Sequence, residues 1–173
     1  MKTLMSSAIA LAFVLWLAAA TPAADLKAQL QSAYDGQCKA GIAKDAAAFQ
    51  AFFDAKYIAT DLDGKQQDLG AIVTGVTSPQ PGVAFAACSF VIRSVTANGG
   101  TATALVTQTV EGTFAQGTGA PQPFTQIQDS TDTWNVSGTP VEQTSQETGH
   151  RLTIAGKVVE EKGVLTAPAA AGP

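Results

Sequence analysis

The chain of 173 residues holds a single histidine, His150, so any imidazole-dependent reaction must run through it. A histidine near a carboxylate can serve as general acid or base. This one follows Gly149 where a strand begins, a setting that equally suits a surface side chain. Two cysteines, Cys38 and Cys88, are better placed for a bridge than for a metal, and one histidine adds too few ligands for a zinc site. Asp61-Leu62-Asp63-Gly64 opens like a calcium loop but lacks the later spaced ligands and the distal Glu. There is no nucleophile elbow, phosphate-cradling glycine loop or dinucleotide fingerprint. No metal and no cofactor are expected.

Amides on apolar faces are more informative. Gln108 interrupts the face formed by Ala102, Ala104, Val106, Val110 and Phe114. Gln126, Gln128, Ser130 and Asp132 alternate with the same phase as Phe124, Trp134 and Val136. A buried amide left unsatisfied costs about 1–3 kcal/mol, which a cavity holding water or a polar ligand avoids. A strand read one residue out of phase would swap these faces.

The elements that must position these residues follow from periodicity and turn chemistry. Asp25 to Ile42 reads as a helix whose i, i+4 ladder is Leu26, Leu30, Tyr34, Cys38 and Ile42, weakened by Gly36 and Gly41. Asp45 caps a second helix expected to run to Tyr57, with Phe49, Phe52, Phe53 and Tyr57 as its stripe. Ile58–Asp61 leads into a strand and an acidic turn, and Asp68 caps a short third helix. After Ser78–Gly82 the pattern is β: Phe85–Val95 and Thr101–Phe114 around Asn98-Gly99-Gly100, then Phe124–Val136, Val141–Thr148, and Arg151–Ile154 with Lys157–Glu160. Helices first and hairpin-linked strands afterwards mean α+β. Cys38 lies on the first helix's stripe and Cys88 on the face of Ala86, Phe90 and Ile92, so a bridge forms if that helix packs there. Two buried thiols are the alternative.

The first residues read as an export signal: Lys2, an uncharged apolar run from Leu4 to Leu17, then Ala18-Ala19-Ala20. Residues 1–20 are assigned to the signal, with Ala23 or Ala24 as other cleavage points, and the apolar run falls short of the ~20 residues of a spanning helix. A periplasmic or secreted location follows, without a stable membrane anchor after processing, and an oxidising compartment favours the disulfide. Residues 25–162 form one domain of ordinary size, and 163–173 are read as a disordered tail. Net charge is −4 with no basic cluster, so nucleic acid is not an expected partner.

Lys44-Asp45-Ala46 through Tyr57–Lys65, Thr131–Gly138 and His150–Val158 together resemble segments of the nuclear-transport-factor-2-like superfamily, specifically its exported SnoaL-like members of unknown function. The resemblance implies a cone-shaped (cystatin-like) α+β fold, with three N-terminal helices packed on a curved antiparallel sheet. It also implies roles drawn from ketosteroid isomerases: Asp61 as general base and Asp132 as a carboxylic acid kept protonated by its apolar site. The phenol that completes such a site corresponds to Gln37, with Tyr34 one turn earlier. Thr139-Pro140-Val141 departs from the Trp common in relatives. The reading adopted is a binding module for a small molecule, its pocket lined by Tyr34, Tyr57, Asp61, Gln108, Gln128, Asp132 and Trp134. An isomerase, cyclase or dehydratase is the rival. A homodimer is expected, and a scaffold meeting its partner through Thr107, Thr109 and Thr113 is a third reading.

Overall fold

A computed structural model of the chain describes residues 23–78 and 80–166. The signal assigned to residues 1–20 lies outside the described residues. The first helix, α1 (Ala23–Ile42), is amphipathic as its spacing requires: Leu26, Leu30, Ala33, Tyr34, Gln37 and Cys38 are all buried along one side. Ile42, the last rung of the expected ladder, is largely exposed because the helix ends there. Gly36 does not weaken the helix so much as seat a neighbour. A Cβ there would come within 2.3 Å of the Phe52 ring, so only glycine lets that ring lie against α1.

Helix α2 (Ala46–Gln50) begins where expected, with Asp45 Oδ1 accepting from the Ala48 N–H at 3.0 Å. It lasts one turn and a half instead of running to Tyr57, and residues Phe53–Thr60 form strand β1. The reason lies in the aromatic spacing. Residues four apart share a face of a helix, but four is also even, so they share a face of a strand. Phe53 and Tyr57 remain neighbours, with ring centroids 4.7 Å apart, and both are buried. Tyr57, Ile58 and Thr60 are strand formers, which tips the segment to β.

After the turn, β2 (Gln66–Asp68) pairs back on β1, and Asp68 caps α3 (Leu69–Thr77) by accepting from Ala71 N–H at 2.8 Å. Four long strands follow: β3 (Val83–Asn98), β4 (Thr101–Phe114), β5 (Gln122–Asn135) and β6 (Val141–Ile154), and then β7 (Lys157–Gly163). Strand β6 runs unbroken through Gly149 and His150, where a strand start was expected. The hairpin turns sit at Gly99-Gly100 and at Ala155-Gly156, the latter with φ of 49° and 77° as a two-residue hairpin turn needs.

The sheet order is β2-β1-β6-β5-β4-β3, with β7 added to β6. The sheet is mixed rather than wholly antiparallel, because β1 runs parallel to β6. Three helices on a curved, open and dominant sheet make the fold α+β. Bulges between Phe85 and Ala87 and between Ile92 and Ser94 keep Phe85, Cys88, Phe90 and Ile92 turned inward, while Ala86 is turned out.

Cys38 and Cys88 are bonded, with their Cα atoms 5.3 Å apart, which ties α1 to β3. No helix among the described residues is long and apolar enough to cross a membrane. The Cys38–Cys88 bond is of the kind that persists in an oxidising compartment. The expected tail begins in ordered structure: Gly163 closes β7, and Val164 N–H donates to Thr148 O at 3.0 Å. Thr166 N–H donates to Asp129 Oδ2 at 2.7 Å, while Arg93 reaches Asp129 at 2.9 Å. Thr107 donates to the same carboxylate, so it is buried rather than part of an open threonine face. Residues 167–173 lie outside the described residues.

Candidate functional site

Between the helices and the inner face of the sheet lies a cavity of about 330 Å3. Phe49, Phe53, Ile72 and Val76 wall it from the helical side and β1, and Phe85, Phe90 and Val110 from the sheet. The disulfide forms part of the wall between α1 and β3. Gln108, Gln126 and Gln128 line the sheet side, so the phase inferred for β4 and β5 is the observed one. Gln108 and Gln128 face each other across the two strands.

One end of the cavity is polar. Gln37 from α1, Tyr57 from β1, and Glu142 and Ser145 from β6 all reach it. Gln37 Nε2 donates to Glu142 Oε2 at 2.8 Å, and Glu142 is only 3% exposed. Behind this wall, and outside the cavity lining, lies a second carboxyl group. Asp132 Oδ2 accepts from Tyr34 Oη at 2.7 Å, and Oδ1 accepts from Ser145 Oγ at 2.7 Å. The Tyr34 hydroxyl in turn accepts from Trp134 Nε1 at 3.1 Å.

Among the described residues no cationic side chain lines the cavity. Burial therefore dominates the acid chemistry. It pushes Glu142 well above the usual carboxylate range, and the neighbouring Asp132 adds to the effect, while Gln37 and Tyr57 oppose it by hydrogen bonding. Asp132 is raised by burial and pulled back by the hydroxyls of Tyr34, Ser145 and Ser130. Tyr34 and Tyr57 are both raised, first by burial; Asp132 is the next cause for Tyr34 and Glu142 for Tyr57. Both phenols stay neutral and act as donors.

Of the residues singled out from sequence, Gln37, Tyr57, Gln108, Gln126, Gln128 and Ser130 line the cavity. Tyr34 and Trp134 are fully buried in the core behind it, stacked edge to face with centroids 5.0 Å apart. Asp61 and Asp132 do not meet in the cavity, and neither lines it. The Asp61 carboxylate is turned onto its own loop, where it accepts from Asp63 N–H at 3.0 Å and Lys65 N–H at 2.9 Å. His150 is set apart, its Nδ1 3.3 Å from Glu147 Oε1 and its Nε2 3.9 Å from Glu160 Oε2. Among the described residues no cluster of three or more potential ligands could hold a metal ion.

Glu142 is the site residue that sequence reasoning misses. In strict alternation Glu142 and Ser145, three apart, fall on opposite faces. An extra residue, Gln143, is accommodated between the pairs Trp134↔Glu142 and Thr133↔Thr144, which returns Ser145 to the inner face. A glutamate two residues after Pro140 carries no sign of burial in its sequence context.

No family model matches the sequence, and no curated protein does. Solved structures do match. An NTF2-like superfamily protein from Salmonella enterica serovar Typhimurium is 10% identical, with 87% of this chain and 99% of that chain covered and a TM-score of 0.55. An NTF2-like protein from Cytophaga hutchinsonii is 10% identical over 70% of this chain and 96% of that one, with a TM-score of 0.52. The type 2 hexachlorocyclohexane dehydrochlorinase LinA is 8% identical, covering 85% of this chain and 96% of its own, with a TM-score of 0.56. At such identities the likeness is one of fold: the chain has the NTF2-like fold.

Proposed function

We propose that the protein is an exported binding module of the SnoaL-like type, which holds a small molecule in the cavity between α1–α3 and the sheet. The observation that carries this reading is the cavity's lining: aromatic and aliphatic walls for an apolar body, crossed on the sheet side by Gln108, Gln126 and Gln128, and a buried end where Gln37, Tyr57, Glu142 and Ser145 offer hydrogen bonds. Pockets of this kind take a mostly apolar ligand and orient it with a few polar groups. LinA shares the fold and is named for a dehydrochlorination, but a fold alone does not assign a reaction. The isomerase, cyclase or dehydratase reading needs Asp61 and Asp132 on one cavity, and neither is on its wall. Asp61 is occupied in its turn, which favours binding without that base.

The test is a thermal-shift screen of aromatic and alicyclic small molecules against the wild-type chain and Val110→Phe, which fills the cavity from β4. Binding in the cavity predicts compounds that raise Tm in the wild type and lose the effect in the variant. Compounds that stabilise both forms equally, or none that stabilise either, would contradict it.

A further inference from the structure

The cavity's polar end is chemically one-sided. Among the described residues Glu142 is the only carboxyl on its wall; it is almost wholly buried, and the hydrogen bond it receives comes from the neutral Gln37 amide. The titratable groups that face it are Asp132 from β5, Tyr57 from β1 and Tyr34 from α1, none of which carries positive charge. Buried carboxylates are ordinarily paired with a cation or hold a metal. Among the described residues the wall supplies no lysine, arginine or histidine, and the donor set is too small for a metal. The remaining direction from which a cation can come is the cavity itself. Phe49, Phe53 and Phe90 border the same space, and aromatic faces attract a desolvated cation.

We propose that the cavity selects an organic cation, an ammonium group seated against Glu142 with its apolar body along Phe49, Phe53 and Phe90. This rests on the binding reading above and names its ligand class. Glu142 then acts as the specificity residue. Gln37, which donates to its carboxylate at 2.8 Å, positions it for the ionised state that the ligand completes, and the Tyr57 phenol beside it favours the same state. A neutral ligand gains only a hydrogen bond there. An anionic one meets a buried acid and no counter-charge. Burial raises Glu142 above the usual carboxylate range, so seating an ammonium beside it favours loss of that proton to solvent.

Three probes with one framework separate the outcomes: naphthylmethylamine, naphthylmethanol and naphthoate, titrated into the full chain by calorimetry near neutral pH. The amine is expected to bind about tenfold or more tighter than the alcohol, and the acid weakest. Its heat should vary with the ionisation enthalpy of the buffer, since a proton leaves, while that of the alcohol should not. Glu142→Gln keeps the shape and the hydrogen bonds, and should bring amine and alcohol to similar affinity. A preference unchanged in that variant would overturn the proposal. So would an alcohol that binds as tightly as the amine, although that result leaves the binding module standing. If none of the three binds, the binding reading fails together with the cation.

Discussion

Strands β4 and β5 build two unlike halves of one sheet face. Toward the hairpin at Gly99-Gly100, Ala102, Ala104, Val106 and Trp134 are at most 1% exposed and pack directly on Leu26, Leu30 and Tyr34 of α1. Past Val106 the same inward phase continues as Gln108 and Val110 on β4, and as Gln128 and Gln126 on β5. There α1 meets the sheet through the Cys38–Cys88 bond and the Gln37–Glu142 hydrogen bond, and the cavity opens beside them. Small alanines let the helix approach in the first half, and two large aromatics fill what is left. In the second half the amides hold the space open, because filling it with apolar atoms would leave them without partners. The closed half is stabilised by packing. The open half is held across its gap by the Cys38–Cys88 bond, and by Gln31 Nε2 donating to the Phe90 carbonyl at 3.0 Å.

This contrast predicts unequal responses to equal surgery. Trp134→Ala should cost about 3–5 kcal/mol, as a large cavity opens in a packed region. Val110→Ala, beside space that is already empty, should cost less than about 1 kcal/mol. Chemical denaturation of both variants measures the difference, and similar losses would mean that the two halves are equally packed. Replacing both cysteines by serine should lower stability by about 4 kcal/mol, because the bridge closes a separation of 50 residues in the unfolded chain. A much smaller loss would show that the open half is held by its other contacts.

Tyr34→Phe removes the hydroxyl that links Trp134 to Asp132. Two buried groups lose a partner, at a cost of about 1–3 kcal/mol, with no change in the affinity of any cavity ligand. The smallest effect reverses sign. Asp132 and Glu142 both hold their protons more tightly in the folded protein than in the unfolded chain. Their drag on stability is absent below the ordinary carboxylate pKa and grows as pH rises from there through the raised folded values. Glu142→Gln should therefore leave Tm unchanged at about pH 4 and raise it near about pH 8. A variant less stable than wild type at the higher pH would show that the carboxylate is compensated within the folded chain.

Much of the fold is legible in the sequence because its signals are local. Asp45 and Asp68 cap helices where their spacing places them, and Gly99-Gly100 and Ala155-Gly156 set two hairpins. The disulfide is legible from two periodicities that agree, the helical stripe through Cys38 and the alternation through Cys88. Strand β1 is not, since aromatics four apart satisfy helix and strand alike and the tertiary pairing with β6 decides. The candidate site is legible on its sheet side, where alternation on β4 and β5 is unbroken, and at Gln37, which the family resemblance placed. Its polar end depends on the extra residue at Gln143, which no pattern of residue types announces. Asp61 shows the converse. Its turn chemistry was plain in the sequence, and the turn is where its carboxylate is spent.

The division of the sheet face into a core half and a binding half is tested most directly by nitrogen–proton correlation NMR of the chain titrated in turn with naphthylmethylamine and naphthylmethanol. The side-chain amides of Gln37, Gln108, Gln126 and Gln128 should shift on binding, while the indole N–H of Trp134 stays in place. Shifts confined to the Trp134 side of the sheet or to its outer face, or no shift in those four amides with either probe, would contradict it.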